Sequence, residues 1–344
     1  MEFREILKSE MKGFDSLVER VVPRDFVDCD IGKLRWGLDV GALNGALARP
    51  IWDLLDRGGK RWRPFLMRLC FEAIGGSGDI DKFLPIVEVV HNGTLMTDDI
   101  EDASSLRRGK ACVHKIFGND VAINAGNAMY FLPMIEVVRS DLNLEIKNKI
   151  YGVYVEEMVK LHFGQGMDIS WHQGNGMPSE NEYLQMCAFK TGTLARMAAK
   201  FGGVLGGAGE DVVEALGEFA ESLGVAFQIQ DDILNICPGE DWGKDFGDDI
   251  SEGKRTLLVI RALEIVGKED AGDLIGILNL RTKNKVMIGE AIGILRNSGA
   301  IEYCEEVAKD LVRDAWEKLD SVLSESDAKS KLKMFVDFVV EREV

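Results

Sequence analysis

Apolar residues recur at helical spacing along almost the whole chain, and almost nothing in it alternates with the period of a strand. Helices are expected over 41–56, 62–74, 79–101, 119–139, 144–163, 180–205, 210–236, 255–267, 284–298, 300–322 and 327–343. β-Branched alternation is sparse, and no Asn-Gly hairpin joins two such runs. Segments 79–101 and 210–236 are apolar on more than one face, which places them centrally. No repeat, low-complexity tract or linker divides the sequence. The expected fold is therefore all-α, a single large helical bundle domain spanning residues 1–344.

Composition removes several function classes. A net charge of -17 argues against nucleic acid as the main partner, because neutralising phosphates needs surplus Lys and Arg. The six cysteines are scattered with no CxxC pair, and four histidines leave little for a zinc site. Reduced thiols in a cytoplasmic protein are the expectation. No apolar run reaches membrane-spanning length, so no transmembrane segment is expected. The amphipathic start, with Phe3, Ile6, Leu7, Met11, Phe14, Leu17 and Val18, is expected to dock on the protein's own core.

The helical pattern breaks at Gly58-Gly59, Ala103 to Lys110, Gly164 to Ser179 and Pro238 to Lys254, and three of these four breaks adjoin clusters of charge. The very apolar segment 79–101 ends in Asp98-Asp99-Ile100-Glu101-Asp102. Asp98 and Asp102 stand at i and i+4, so their carboxylates share a face and repel unless a cation relieves them. Carboxylates, water and substrate phosphates are the donor set that Mg²⁺ prefers. A second apolar helix ends in Gln228-Ile229-Gln230-Asp231-Asp232-Ile233-Leu234-Asn235, which repeats the geometry. If these two helices faced each other they would frame a cavity suited to Mg²⁺ and a diphosphate.

Basic clusters accompany the acidic ones: Lys60-Arg61-Trp62-Arg63 after two glycines, Arg107-Arg108-Gly109-Lys110, Lys190-Thr191-Gly192 inside a helix, and Lys244, Lys254 and Arg255. Each alone would pass for a solvated face. Repeated pairing with acidic clusters in an acidic chain points to two anionic groups, one bridged by metal and one held by cations. No phosphate-binding glycine loop and no serine or cysteine nucleophile arrangement is present.

In this order, GGKRWRP (58–64), DDIED (98–102) with RRGK (107–110), FGQGMD (163–168), KTG (190–192), QIQDDILN (228–235) and GKDFGDDISEGKRT (243–256) resemble the trans-isoprenyl diphosphate synthases, or polyprenyl synthetases. The resemblance implies a helical domain around a central cavity, dimerised through helices, that condenses isopentenyl diphosphate with an allylic diphosphate. It implies Mg²⁺, about three ions per site and in part bridged by diphosphate. Asp98, Asp102 and Asp231 match the metal ligands, with Asp99 and Asp232 beside them. Lys60, Arg63, His91 and Arg108 match the isopentenyl diphosphate site. Arg107, Lys190, Lys244 and Lys254 match the cations around the allylic diphosphate. Thr191 and Gln228 match positions that steady the developing carbocation, supported by Gln165 and Asp168.

Asn235 stands where many relatives carry Asp, and is read as an amide that bonds a metal-bound water. Small residues at Gly93 and Thr94, one turn before Asp98, replace the bulky aromatics that floor the tunnel in short-chain relatives. Val90, roughly 12 Å back from Asp98 along the helix, narrows the path without closing it. A product of C20 or longer is therefore expected. A class I terpene synthase would not need Lys60, Arg63 and Arg108. A regulatory subunit of a heteromeric synthase would tend to have lost aspartates.

Overall fold

The computed structural model describes residues 3–27, 32–237 and 247–340, most of them helical. Among them the only sheet is a two-stranded antiparallel hairpin, Leu106–Arg107 with Lys110–Ala111. The chain packs as two compact units.

The first unit holds Met1–Arg68 and Ser77–Lys149. Its amphipathic start forms helices Phe3–Glu10 and Phe14–Val21, which bury Phe3, Leu7, Met11, Phe14 and Val18, so this segment docks on the protein as its periodicity implies. Its central helix, Pro85–Glu101, begins at a proline whose missing N–H costs nothing in the first turn. Its Ile86, Val87, Val89 and Val90 are fully buried. Helix Asn119–Phe131 packs against it where Gly93 meets Gly126. A Cβ on Gly93 would come 2.9 Å from the Gly126 carbonyl oxygen. Expected as one helix over 119–139, this stretch is interrupted by a 3₁₀ turn at Leu132–Met134, where Pro133 removes a donor. Asn119–Arg139 is the one described segment long and apolar enough to cross a membrane by length and composition.

The second unit holds Leu69–Gly76 and Ile150–Val344. Its core is helix Glu210–Ile236, packed against Thr193–Gly206 and Ala300–Asp320. Some elements of this unit differ from expectation. The polar stretch after 163 stays helical, because Leu144–His172 carries through Gly164 and Gly166. Lys268–Leu280 is a further helix, with Leu274, Ile277 and Leu278 buried on one side. Its modest apolar content in an acidic, glycine-bearing segment hides the period. Glu157, buried without exposure on Leu144–His172, accepts from Thr193 Oγ1 at 2.6 Å and Arg196 Nε at 2.7 Å. A buried carboxylate so paired avoids the cost of an isolated charge.

Candidate active site

The first group of site residues lies in the first unit. Arg108 and Gly109 form the turn between the two short strands with φ of 52° and 74°, the sign pattern of a hairpin turn with both central residues left-handed. Arg-Gly here does the work usually signalled by Asn-Gly, which hides the hairpin from sequence. Among the described residues only Arg61, Ala103, Arg108 and Arg281 are non-glycine residues with positive φ. Three of these flank the predicted basic and acidic clusters, a concentration of backbone strain typical of functional sites.

The strain at Arg61 is held by ion pairs. Arg61 Nη1 donates to Glu88 Oε1 at 2.6 Å and Nη2 to Asp15 and the Leu55 carbonyl. Both Arg61 and Glu88 are buried. Arg61 is thereby a support, while Lys60 beside it is exposed and Arg63 is buried against Trp62. Arg108 donates to the Gly58 carbonyl and stands 3.3 Å from where a Gly59 Cβ would be. The paired glycines thus let this guanidinium close on the backbone. Burial, and then the charges of Arg63, Arg108, Arg107 and Arg61, push His91 well below the usual imidazole range, so it is neutral beside these cations.

Within the acidic cluster the aspartates divide. Asp99 is buried and accepts from Arg107 Nε at 2.8 Å and Nη2 at 2.6 Å, whereas Asp98 is part-exposed and 3.6 Å from the same guanidinium. Asp102, at the helix end, returns its N–H to the Asp98 carbonyl. Asp99 therefore anchors Arg107 through Oδ1. Gly93 differs from expectation. It is the crossing point of two helices, so a phenylalanine there would strike the backbone of Asn119–Phe131. Thr94 Oγ1 bonds back to the His91 carbonyl, and Val90 is fully buried.

The second group lies in the second unit. Ala188–Gly192 is a π turn inside the expected helix 180–205, the kind of bulge that often marks a site. It is seated on glycines: a Cβ on Gly164 would come 2.4 Å from the Lys190 nitrogen, and one on Gly224 2.6 Å from the Gly192 Cα. Lys190 Nζ donates to Asp168 Oδ2 at 2.5 Å. Burial pushes Asp168 up, but Lys190 and Lys254 outweigh it and hold it below the usual carboxylate range.

Thr191 Oγ1 donates to Gln228 Oε1 at 2.8 Å, and Gln228 Nε2 donates to Asp232 Oδ1 at 2.8 Å. Tyr183 OH donates to Asp232 Oδ2 at 2.5 Å. Asp232 is pushed up to about 7, first by burial and then by Asp249, and Tyr183 is raised well above its usual value by burial and Asp232. Asp231 is half-buried, so here too the second aspartate is tied into the protein while the first is not buried. Asn235 is buried, and its Oδ1 accepts the Asp249 N–H at 3.3 Å. It fastens that backbone. Lys254 pairs with Glu252 at 2.6 Å and lies 3.6 Å from Asp249. Lys244 lies outside the described residues. Spacing arguments do not select Tyr183, Glu88 or Asp249. Glu88 alone leaves a signal, a single carboxylate inside the apolar run Pro85–Val90.

Among the described residues no three carboxylate, imidazole or thiol groups converge to cage an ion. The part-exposed carboxylates of Asp98 and Asp231, with Asp102 buried at the helix end, instead fit Mg²⁺, which keeps waters and shares its coordination with substrate phosphates.

The polyprenyl synthetase family model matches residues 44–295. The chain belongs to the polyprenyl synthetase family. It is 38% identical over 299 residues to a short chain isoprenyl diphosphate synthase of Methanothermobacter thermautotrophicus, covering 86% of this chain and 90% of that one. The geranylgeranyl pyrophosphate synthetase of Pyrococcus horikoshii matches with a TM-score of 0.85 and 31% identity over 99% of this chain and 98% of the other. A polyprenyl synthase of Caulobacter crescentus complexed with calcium and isoprenyl diphosphate matches at 0.84 and 25% identity, over 99% and 98%. The fold is the all-α isoprenoid synthase fold. The reaction class is trans-prenyl chain elongation, not the cyclisation or the regulatory role weighed beside it.

Proposed function

We propose that this trans-prenyltransferase joins isopentenyl diphosphate to an allylic diphosphate in a Mg²⁺-dependent reaction, with a main product of C20 or longer. One observation carries the reading. Asp98 and Asp231, on the last turns of two apolar helices, are only part-buried, whereas Asp99 accepts from Arg107 at Oδ1 and Asp232 accepts from protein donors at both oxygens. Asp98, Asp102 and Asp231 are then the residues that would hold Mg²⁺, about three ions per site. Bound Mg²⁺ supplies charge neutralisation for the departing diphosphate.

Lys60, Arg63, His91 and Arg108 bind the diphosphate of isopentenyl diphosphate, and neutral His91 adds a hydrogen bond without further charge. Arg107, Lys190 and Lys254, with Lys244, bind the allylic diphosphate. Arg107 spends Nε and Nη2 on Asp99, which leaves its Nη1 side to reach a phosphate. Breaking the allylic C–O bond leaves a cation, which the double bond of isopentenyl diphosphate attacks. Hydroxyl and amide oxygens of Thr191 and Gln228 steady that charge. The proton lost after bond formation passes to the released diphosphate, so no protein base is required.

The likeness to solved synthases over nearly all of the chain supports residues 1–344 acting as one catalytic domain. The geranylgeranyl name of the P. horikoshii protein supports the product length. A homodimer is supported by the exposed stripe Val155, Val159 and Phe163, at i, i+4 and i+8 along Leu144–His172, which a second copy would cover. Buried thiols at Cys70, Cys112, Cys187 and Cys304 support a reducing, cytoplasmic setting. Incubation of the pure protein with Mg²⁺, isopentenyl diphosphate and a series of allylic primers tests the reading. Elongated product is expected, and none with any primer would refute it.

A further inference from the structure

Hydrogen-bond direction along the chain Thr191–Gln228–Asp232–Tyr183 is set at its buried end. Asp232, 5% exposed, accepts at both oxygens, Oδ2 from Tyr183 and Oδ1 from Gln228, as an ionised carboxylate does. Tyr183 is 2% exposed and its phenol has one proton, directed at Asp232 Oδ2. Gln228 lies against the other oxygen, Oδ1. An amide offers a carboxylate its NH₂ and never its carbonyl, so Asp232 dictates which way the Gln228 amide is turned. With Nε2 toward Asp232, Oε1 faces Thr191, and the hydroxyl must give Gln228 its single proton. The remaining lone pairs of the Thr191 oxygen then point away from Gln228, available to a positive charge.

The opposite orientation would reverse every element of this chain. Gln228 would present its NH₂ to Thr191, the hydroxyl would accept, and its proton would point outward, where it would repel an allylic cation. The two states differ in no side-chain volume, only in the direction of dipoles. Preorganised dipoles of this kind act on the barrier to charge development and leave ground-state binding nearly untouched.

We propose that Tyr183 is a positioning residue for ionisation: by fixing Asp232 it orients Gln228 and Thr191 so that oxygen lone pairs face the developing carbocation. Tyr183 touches no substrate, and the inference rests on the reading given under Proposed function. Losing the phenol leaves a buried carboxylate oxygen without its donor, so Asp232 turns to recover a partner and the amide loses its reference.

Steady-state kinetics of Tyr183→Phe, Thr191→Val and the double variant, in the full-length protein, test this. Tyr183→Phe is expected to lower kcat about tenfold, with both KM values and the Mg²⁺ half-saturation within about twofold of wild type. In the Thr191→Val background the same change should cost less than about twofold, because the oxygen it orients is gone. Asp232→Asn, whose amide permits either orientation, should lower kcat likewise and keeps the test open should Tyr183→Phe fold poorly. Unchanged kcat in the variants that fold, or equal losses in the wild-type and Thr191→Val backgrounds, would overturn the inference alone. A wild-type chain unable to elongate any primer would overturn it together with the proposed function.

Discussion

Gly224 lies so close to Gly192 that a Cβ on it would stand 2.6 Å from the Gly192 Cα and 3.2 Å from the Thr191 carbonyl oxygen. The π turn bearing Lys190 and Thr191 is thus seated against bare backbone, and on the Leu144–His172 side a Cβ on Gly164 would stand 2.4 Å from the Lys190 backbone nitrogen. Both obstacles are main chain and cannot rotate aside.

Gly224→Ala should therefore cost about 1–3 kcal/mol of stability by overpacking. It should also displace Thr191 and lower turnover further than the stability loss explains. Thermal denaturation beside kinetics checks this, and an alanine variant with wild-type melting and turnover would contradict the close approach.

Asp98→Ala and Asp231→Ala should each reduce turnover by orders of magnitude while circular dichroism stays helical. Removing one of several like charges does not weaken a helix, so a catalytic loss cannot be assigned to unfolding. Asp99→Ala should behave differently, destabilising the fold as well, because it leaves Arg107 without its buried partner. Near wild-type turnover for Asp98→Ala or Asp231→Ala at saturating Mg²⁺ would remove the metal assignment.

The two groups of cations should separate in kinetics. Arg63→Ala is expected to raise the KM for isopentenyl diphosphate more than that for the allylic partner, and Lys254→Ala the reverse. Each lost charge-assisted contact should cost roughly 1.5–3 kcal/mol. Equal effects on both substrates from both changes would refute the division of labour.

His91 links stability to pH. Its folded pKa is depressed below the unfolded value, so below about 6.5 the unfolded chain binds a proton that the folded chain refuses. Stability from this group is present above that pH and declines as pH falls. Urea denaturation at pH 8 and pH 5.5 should show a larger drop for wild type than for His91→Gln, and equal drops would show His91 to be unperturbed.

Product length is read by chromatography of dephosphorylated products, where C20 or longer is expected of the wild type. Gly93→Phe is not a clean probe of the tunnel. It should unfold or strongly destabilise the protein, because its Cβ already meets the Gly126 carbonyl at 2.9 Å. A well-folded Gly93→Phe enzyme would show the helix crossing to be looser than described.

By itself the sequence determined what is written locally. Periodicity made the chain helical and placed Asp98, Asp102 and Asp231 at helix ends, and the i, i+4 spacing set carboxylates on one face. Ordered motifs sufficed to place the chain in its family, and the acidic and basic clusters are its proposed site. Tertiary structure decided what depends on partners far along the chain. Asp99 and Asp232 look like equals of their neighbours in sequence, yet Asp99 is held by a hairpin with no Asn-Gly signal, and Asp232 by Tyr183, 49 residues away. Gly93 reads as an open space beside a tunnel and is instead the place where two backbones touch. The reason is physical: a residue's period shows which face of its helix it occupies, whereas a hydrogen bond or a close approach belongs to a pair, and only folding chooses the other member.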